Sequence, residues 1–352
     1  MKILYVNSNL KISSGITRHI VMLANQLCTQ HSIHVIAGSS EASKMLNNER
    51  IHFKKIETLQ YERRNMIYFL LSIIRIYFYV SLNKIELIHA QDHYTSSIAK
   101  AVSFIAKTKF IQTIHSNYTR KGLLPLWTGQ HCIFVNNFLF TEAASRFQLL
   151  RGNSSLIYNG IDSENMVTPI RGDSPIYLLM VSRLTKKKGV MTALEAFNYI
   201  SINCPNIAER IYMRIIGDGE EKKSLQQYVS ANKLKVDFIG EIEDVEPYYR
   251  DSHIFVCTSL NEGFGYVLLE AGKYGCFVIS SDFTGVDSIL RNNIDGLIYA
   301  KNSSQDLAQK IMYAVTLDED RAIYVSKFQQ RIKIMFDLKT MLQKTISVYN
   351  IY

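Results

Sequence analysis

Glu262 and Glu270 stand eight positions apart in NEGFGYVLLEAGKYG (residues 261–275), with Gly263, Phe264 and Gly265 between them where a loop gives way to an apolar, helix-like run. A helix amino terminus offers unpaired backbone N–H groups and a positive dipole end, which together attract phosphate. Glycines beside it let the backbone approach a ligand with no Cβ in the way. If the helix begins near Gly265, Glu270 falls in its second turn, able to reach a nucleoside sugar, while Glu262 precedes the helix and reaches the other end of the ligand. Upstream, VSRLTKKKG (residues 181–189) puts Arg183 and Lys188 in a loop that leads into another helix near Gly189. Two cations there can hold a diphosphate and stabilise it as it departs with extra negative charge. Lys186 and Lys187 read as solvated.

These residues need elements to carry them. KILYV, SIHVIAG, IELIHA and KFIQTIH read as strands, interleaved with the helical stretches GITRHIVMLANQLCTQ and SSIAKAVSFIAK. After SSLIYNGIDSENM, a strand and an Asn-Gly turn, the pattern restarts with PIYLLMVSRL, RIIGDG, VDFIG, HIFVCTS and CFVISSD as strand segments. Strands alternating with helices imply βαβ units and parallel sheets buried on both faces, whose chemistry collects at the carboxyl ends of the strands. The fold class expected is α/β with two Rossmann-like domains joined near residues 159 to 170. The domains are read as residues 1–163 and 164–335. Residues 336–352 form a terminal helix packing back toward the first domain.

The net charge of +9 is uneven: residues 1–165 hold 18 Lys and Arg against 9 Asp and Glu, and residues 166–352 hold 22 of each. An anionic partner for the first half follows. MIYFLLSIIRIYFYVSL (residues 66–82) is apolar, interrupted by Arg75 and flanked by Arg63, Arg64 and Lys84, a pattern suited to a helix lying in a membrane interface. It sits near the lower length limit for a span, so no transmembrane helix is read. The amino terminus is too short in apolar residues for a signal peptide. No zinc-finger spacing or single-strand-binding aromatic pattern points to nucleic acid. Cys28, Cys132, Cys204, Cys257 and Cys276 are far apart and read as free thiols, in keeping with a cytoplasmic location.

LIYNGID, VSRLTKKKG, RIIGDG, NEGFGYVLLEAGKYG and DGLIYA, in their order and spacing, resemble glycosyltransferase family 4, the retaining nucleotide-sugar-dependent enzymes of GT-B fold. The resemblance covers nearly the whole chain and is densest over residues 156–300. It implies two Rossmann-like domains facing across a cleft, with acceptor bound by the first and nucleotide-sugar by the second. It implies Glu270 at the ribose hydroxyls, Arg183 and Lys188 at the diphosphate, and Glu262 with the backbone of Gly263 to Gly265 at the transferred sugar; Phe264 and Tyr266 join the donor site. His115, at the end of FIQTIH, matches the family's histidine facing the reaction centre, and Gly15 in SSGITRH its glycine loop near the phosphates. Asp92 and His93 are candidates for acceptor contact. Gln91, in HAQD, stands where a second histidine is common, and no role is carried over to it.

The activity implied is retaining transfer of a sugar to a hydroxyl of a saccharide acceptor, lipid-linked and at the inner face of the cytoplasmic membrane, in bacterial surface polysaccharide or lipopolysaccharide synthesis. No cofactor or metal is expected. The one D-x-D, Asp318 to Asp320, is read as solvated surface. The alternatives are a GT-B sugar-nucleotide epimerase and a non-catalytic sugar-nucleotide-binding protein. A nicotinamide-dependent oxidoreductase is disfavoured, because the first strand is not followed by G-x-G-x-x-G.

Overall fold

The computed structural model describes residues 1–12, 14–116, 129–146, 152–167 and 175–352. The chain divides into two compact units, Met1–Asn159 with Lys339–Tyr352, and Gly160–Leu338. The division thus falls at the near end of the junction expected over residues 159 to 170, of which 168–170 lie outside the described residues.

The first unit holds a parallel sheet of β1 (Lys2–Asn7), β2 (Ser32–Ala37), β3 (Ile51–Lys55), β4 (Leu87–Ala90), β5 (Lys109–Ile114), β6 (His131–Phe134) and β7 (Ser154–Leu156), in the order β3-β2-β1-β4-β5-β6-β7. Its helices are α1 (Gly15–Leu27), α2 (Met66–Asn83), α3 (His93–Ala106) and α4 (Asn137–Arg146). β1, β4 and β6 are short and almost wholly buried, as parallel strands covered on both faces must be. β3 differs: it is an edge strand that leaves Lys54 and Lys55 exposed, a composition that discourages further strand pairing. The strand order reverses between β1 and β4, and a crevice at their carboxyl ends is the expected binding place in such sheets.

In the second unit the strands are β8 (Ile176–Val181), β9 (Ile211–Ile216), β10 (Val236–Gly240), β11 (Ile254–Cys257), β12 (Phe277–Ser281) and β13 (Leu297–Tyr299), ordered β10-β9-β8-β11-β12-β13 and again parallel. The helices are α5 (Val190–Asn203), α6 (Pro205–Arg210), α7 (Lys222–Ala231), α8 (Glu246–Asp251), α9 (Tyr266–Lys273), α10 (Ser304–Thr316) and α11 (Arg321–Met335). Here the order reverses between β8 and β11. The core beneath is aliphatic, with Leu178, Ile215, Val256 and Ile279 of four different strands fully or almost fully buried.

α12 (Leu338–Ile351) belongs to the first unit, although the chain reaches it from the second. A buried hydrogen-bond chain holds it there: Tyr349 Oη lies 2.9 Å from Tyr5 Oη on β1 and 2.8 Å from Nδ1 of His89 on β4, and His89 Nε2 lies 2.7 Å from Thr113 Oγ1 on β5. Burying four polar groups is tolerable because each finds a partner.

α2 packs Ser72, Ile76 and Val80 inward, yet Met66, Ile67, Leu70, Ile74, Phe78 and Leu82 are exposed. It is the one helix among the described residues long and apolar enough to cross a membrane. Arg64, read as a flank of an interfacial helix, is held in the fold: its guanidinium lies over the rings of Tyr61 and Tyr94, 4.1 and 4.4 Å from their centroids, and donates to Ser8 Oγ at 2.9 Å. All five cysteines are free, four of them buried. Asp318–Asp320 form a single 3-10 turn, and Asp318, two-thirds exposed, pairs with Arg210.

Candidate active site

The second unit gathers most of the expected residues at the carboxyl ends of β8 and β11. From β8 the chain enters the loop of Arg183 and then a 3-10 turn, Lys186–Lys188, before α5. Leaving β11, it passes Thr258, Ser259 and Glu262 before α9. The two loops are stitched together: Thr258 Oγ1 donates to the carbonyl of Lys188 at 2.7 Å, and Leu260 N to that of Lys187 at 2.9 Å.

Lys188 and Glu262 meet as an ion pair, both about one-sixth exposed, and Ser259 Oγ donates to the same Glu262 Oε1 at 3.0 Å. With Ser182, Cys257 and Val267 they line a small cavity. The pair keeps a cation and a carboxylate at low exposure without leaving either charge uncompensated. Arg183 is exposed and among the described residues makes no ion pair, so its charge is open to a ligand. Lys186 and Lys187 are exposed too.

The Gly-Asp-Gly segment explains why the Arg183 loop has its shape. Gly217 has φ +131°, and a Cβ on it would stand 1.9 Å from the carbonyl oxygen of Ser182. Leu184 N donates to Asp218 O at 2.8 Å, and Ser182 N to Ile216 O at 3.0 Å. The motif supports the loop from below.

α9 starts where the glycine pattern predicts. Gly265, its N-cap, has φ +95° and supplies no side-chain cap, so the dipole end of the helix is left to other partners. Glu270 lies in the second turn, 6% exposed, and its Oε2 accepts from Tyr249 Oη of α8 at 3.0 Å. The side chains of Phe264 and Tyr266, both expected at the donor site, are buried, and Phe264 packs against Tyr266 and Phe336 at ring-centroid distances of 5.5 and 5.9 Å. What this stretch presents is backbone; the two rings anchor it.

In the first unit His115 follows β5 and is 8% exposed. The ring of His19, from α1, stands edge-on to it at 4.8 Å, and His115 Nε2 lies 3.0 Å from Gln91 Oε1. Burial, followed by the neighbouring His19, His89 and His93, pushes the imidazole of His115 well below its ordinary range. Burial likewise lowers His19, to about 4, and His93. Gly15 is the exposed first residue of α1, N-capped by Ser14, whose Oγ accepts from Thr17 N at 3.5 Å.

Asp92 has a structural duty: its Oδ1 accepts from Tyr94 N and Thr95 N, both at 2.9 Å, capping α3, and its Oδ2 accepts from Ser8 N at 2.6 Å. It thereby ties the carboxyl ends of β1 and β4, leaving it little capacity for an acceptor. The residue that sequence reasoning passed over is Gln91. The only signal was its position at a strand end beside two histidines. Among the described residues no three His, Cys, Asp or Glu side chains gather as a metal site would require.

Two units, each a doubly wound parallel sheet with its reversal beside the residues above, define the GT-B class. Solved structures agree: the Anabaena protein HepE in complex with UDP-glucose superposes with a TM-score of 0.83 at 19% identity, covering 100% of both chains. Residues 13–165 match Glycosyltransferase Family 4 and residues 163–331 match Glycosyl transferases group 1, so the chain belongs to the family 4 glycosyltransferases and is a glycosyltransferase. Among curated relatives, it is 25% identical to the Campylobacter jejuni GalNAc-alpha-(1->4)-GalNAc-alpha-(1->3)-diNAcBac-PP-undecaprenol alpha-1,4-N-acetyl-D-galactosaminyltransferase over 95% of this chain and 94% of that one. It is 24% identical to the Escherichia coli O-antigen biosynthesis glycosyltransferase WclY, over 88% and 92%.

Proposed function

We propose that this glycosyltransferase moves a hexosyl or N-acetylhexosaminyl group from a nucleoside diphosphate to a hydroxyl of a lipid-linked saccharide, with retention of configuration and without a metal. The observation that carries the reading is the convergence at β8 and β11 of an open cation, Arg183, a Lys188–Glu262 pair and the uncapped start of α9, with Glu270 one turn further on. Glu270 serves the ribose hydroxyls. Arg183 and Lys188 take the diphosphate with the dipole of α9, and Glu262 with the backbone of Gly263 to Gly265 takes the sugar.

Glu262 is already engaged by Lys188 and Ser259, an arrangement that suits an orienting hydrogen-bond acceptor better than a nucleophile. Same-face attack then follows: the departing phosphate oxygen accepts the proton of the incoming hydroxyl, and the cations stabilise the charge left on the diphosphate. The lipid-linked acceptor is supported by the undecaprenol-linked substrate named for the Campylobacter relative, and the surface-polysaccharide setting by the O-antigen enzyme. A uridine donor is supported by the UDP-glucose complex of the Anabaena protein. The basic first half and the exposed face of α2 support a position on the inner, anionic leaflet.

The anomeric configuration of the product, read by proton NMR after transfer from an α-linked UDP-sugar, tests the reading. An α product, formed at the same rate with a chelator present, is expected; a β product overturns retention, and loss of activity with the chelator overturns metal independence.

A further inference from the structure

We infer that Gln91 is a positioning residue for His115, fixing its imidazole as the neutral Nε2–H tautomer so that Nδ1 is the nitrogen left to accept a hydrogen bond from a ligand hydroxyl. This rests on the reading above that His115 serves the reacting ligand.

The chemistry follows from one contact. Gln91 Oε1, 3.0 Å from His115 Nε2, is an amide oxygen and can only accept, so Nε2 carries the proton. The backbone of Gln91 is held: the residue is 1% exposed, and its N–H donates to Val6 O at 3.0 Å, binding it to β1 at the reversal of the sheet, while His115 is the partner of its side chain, whose Nε2 has no hydrogen-bond partner among the described residues. The edge of His19, at 4.8 Å and 75°, backs the ring of His115. His19 is 3% exposed, and the side chain of Asn159 acts on its ring as a hydrogen-bond partner.

Among the described residues, the titratable groups acting on His115 are His19 from α1, His89 from β4 and His93 from α3; each would add positive charge if protonated, and none is a carboxylate. His89 is held by Tyr349 and Thr113, one on each ring nitrogen. A second proton on His115 would therefore enter a buried site with no counter-charge among the described residues, a penalty that keeps the ring neutral. With a histidine in place of Gln91, either nitrogen of either ring could hold the shared proton; a glutamine oxygen removes that choice. A neutral ring with Nδ1 as acceptor matches a neutral sugar hydroxyl and offers nothing to an anionic group.

Long-range 1H–15N correlation spectra of the full-length, histidine-labelled protein decide the matter, with His115 assigned by its loss in His115→Asn. The expected pattern is the neutral Nε2–H tautomer, with protonation displaced well below the ordinary histidine range by burial. In Gln91→Glu, a carboxylate beside the ring favours the imidazolium, and the His115 titration midpoint should rise by about 1 pH unit or more. An Nδ1–H pattern in the unmodified protein, or an unmoved midpoint in Gln91→Glu, overturns the inference. Should Gln91→Glu not fold, the tautomer of the unmodified protein decides alone. UDP release from UDP-N-acetylgalactosamine by His115→Ala tests the underlying reading separately: an unchanged rate removes His115 from the reaction and leaves the tautomer result standing.

Discussion

Arg183 and Lys188 lie five positions apart in sequence and differ in kind. Lys188 is paired with Glu262, so a ligand meets a dipole there more than a free charge, whereas Arg183 is exposed and unneutralised. Removing one preorganised electrostatic donor to a departing group costs on the order of 10²–10³ in kcat. Arg183→Ala should lose about that much turnover while its melting temperature stays unchanged, since the side chain buries nothing. Full turnover in this variant would mean that the leaving diphosphate is stabilised elsewhere. Buried histidines carry a second expectation. Burial lowers His19 from 6.5 to about 4, so below pH 6.5 an unfolded chain takes up a proton that the folded one resists. Stability is then full above pH 6.5 and falls as pH drops toward 4, by about 3 kcal/mol from His19. Apparent melting temperatures measured across this range should decline, and less so in His19→Gln; a flat profile contradicts the assignment. Much of this was legible in sequence: Arg183, Lys188, Glu262 and Glu270 are local to two loops, and their spacing encodes their placement. Gln91 was not, because its role lies in a contact with a residue on another strand, 24 positions away.

Elements were legible where their period was long and clean, as in α1 and α9, or where an apolar run met a turn signal, as in β1 and β8. β3, β6 and β13 escaped notice for separate physical reasons. β3 is an edge strand with little burial, whereas β6 and β13 are only four and three residues long and are defined by their neighbours in the sheet. α2 is the element whose composition fits its surroundings least. Ile67, Leu70, Ile74 and Phe78 are each more than half exposed, at 68%, 53%, 51% and 57%, and the helix holds no acidic residue. A bilayer interface would bury these side chains at about 1.5–3 kcal/mol each and reward the arginines and lysines around them. The protein should float with phosphatidylglycerol vesicles at low salt and far less with phosphatidylcholine. Leu70→Glu with Ile74→Glu, both on the exposed face, should abolish flotation without lowering the melting temperature. Equal recovery of the variant and the parent protein would remove α2 from membrane binding.

At the scale of the whole molecule, one architectural solution appears twice: a parallel sheet whose strand order reverses, with functional groups at the carboxyl ends of the two strands flanking the reversal. The alternation of strands and helices announced both sheets. A terminal helix packing back toward the first domain was expected, because no strand follows it, and α12 belongs to the first unit; the place it takes there is not marked in its own sequence. Its place is set by Tyr349, which meets Tyr5 and His89 from positions 344 and 260 residues away in sequence. Specificity for base, sugar and acceptor belongs to this scale too, being a property of loops that the motifs leave free.

The second unit is expected to hold a nucleoside-diphosphate sugar with Glu270 at the ribose. Calorimetric titration of the purified protein and of Glu270→Gln with UDP-, GDP-, ADP- and dTDP-sugars tests it most directly. Saturable binding of a UDP-sugar is expected, weakened in Glu270→Gln by about 2 kcal/mol, the scale of a hydrogen bond to a charged group. Binding of no nucleotide sugar, or equal binding by the variant, would contradict it.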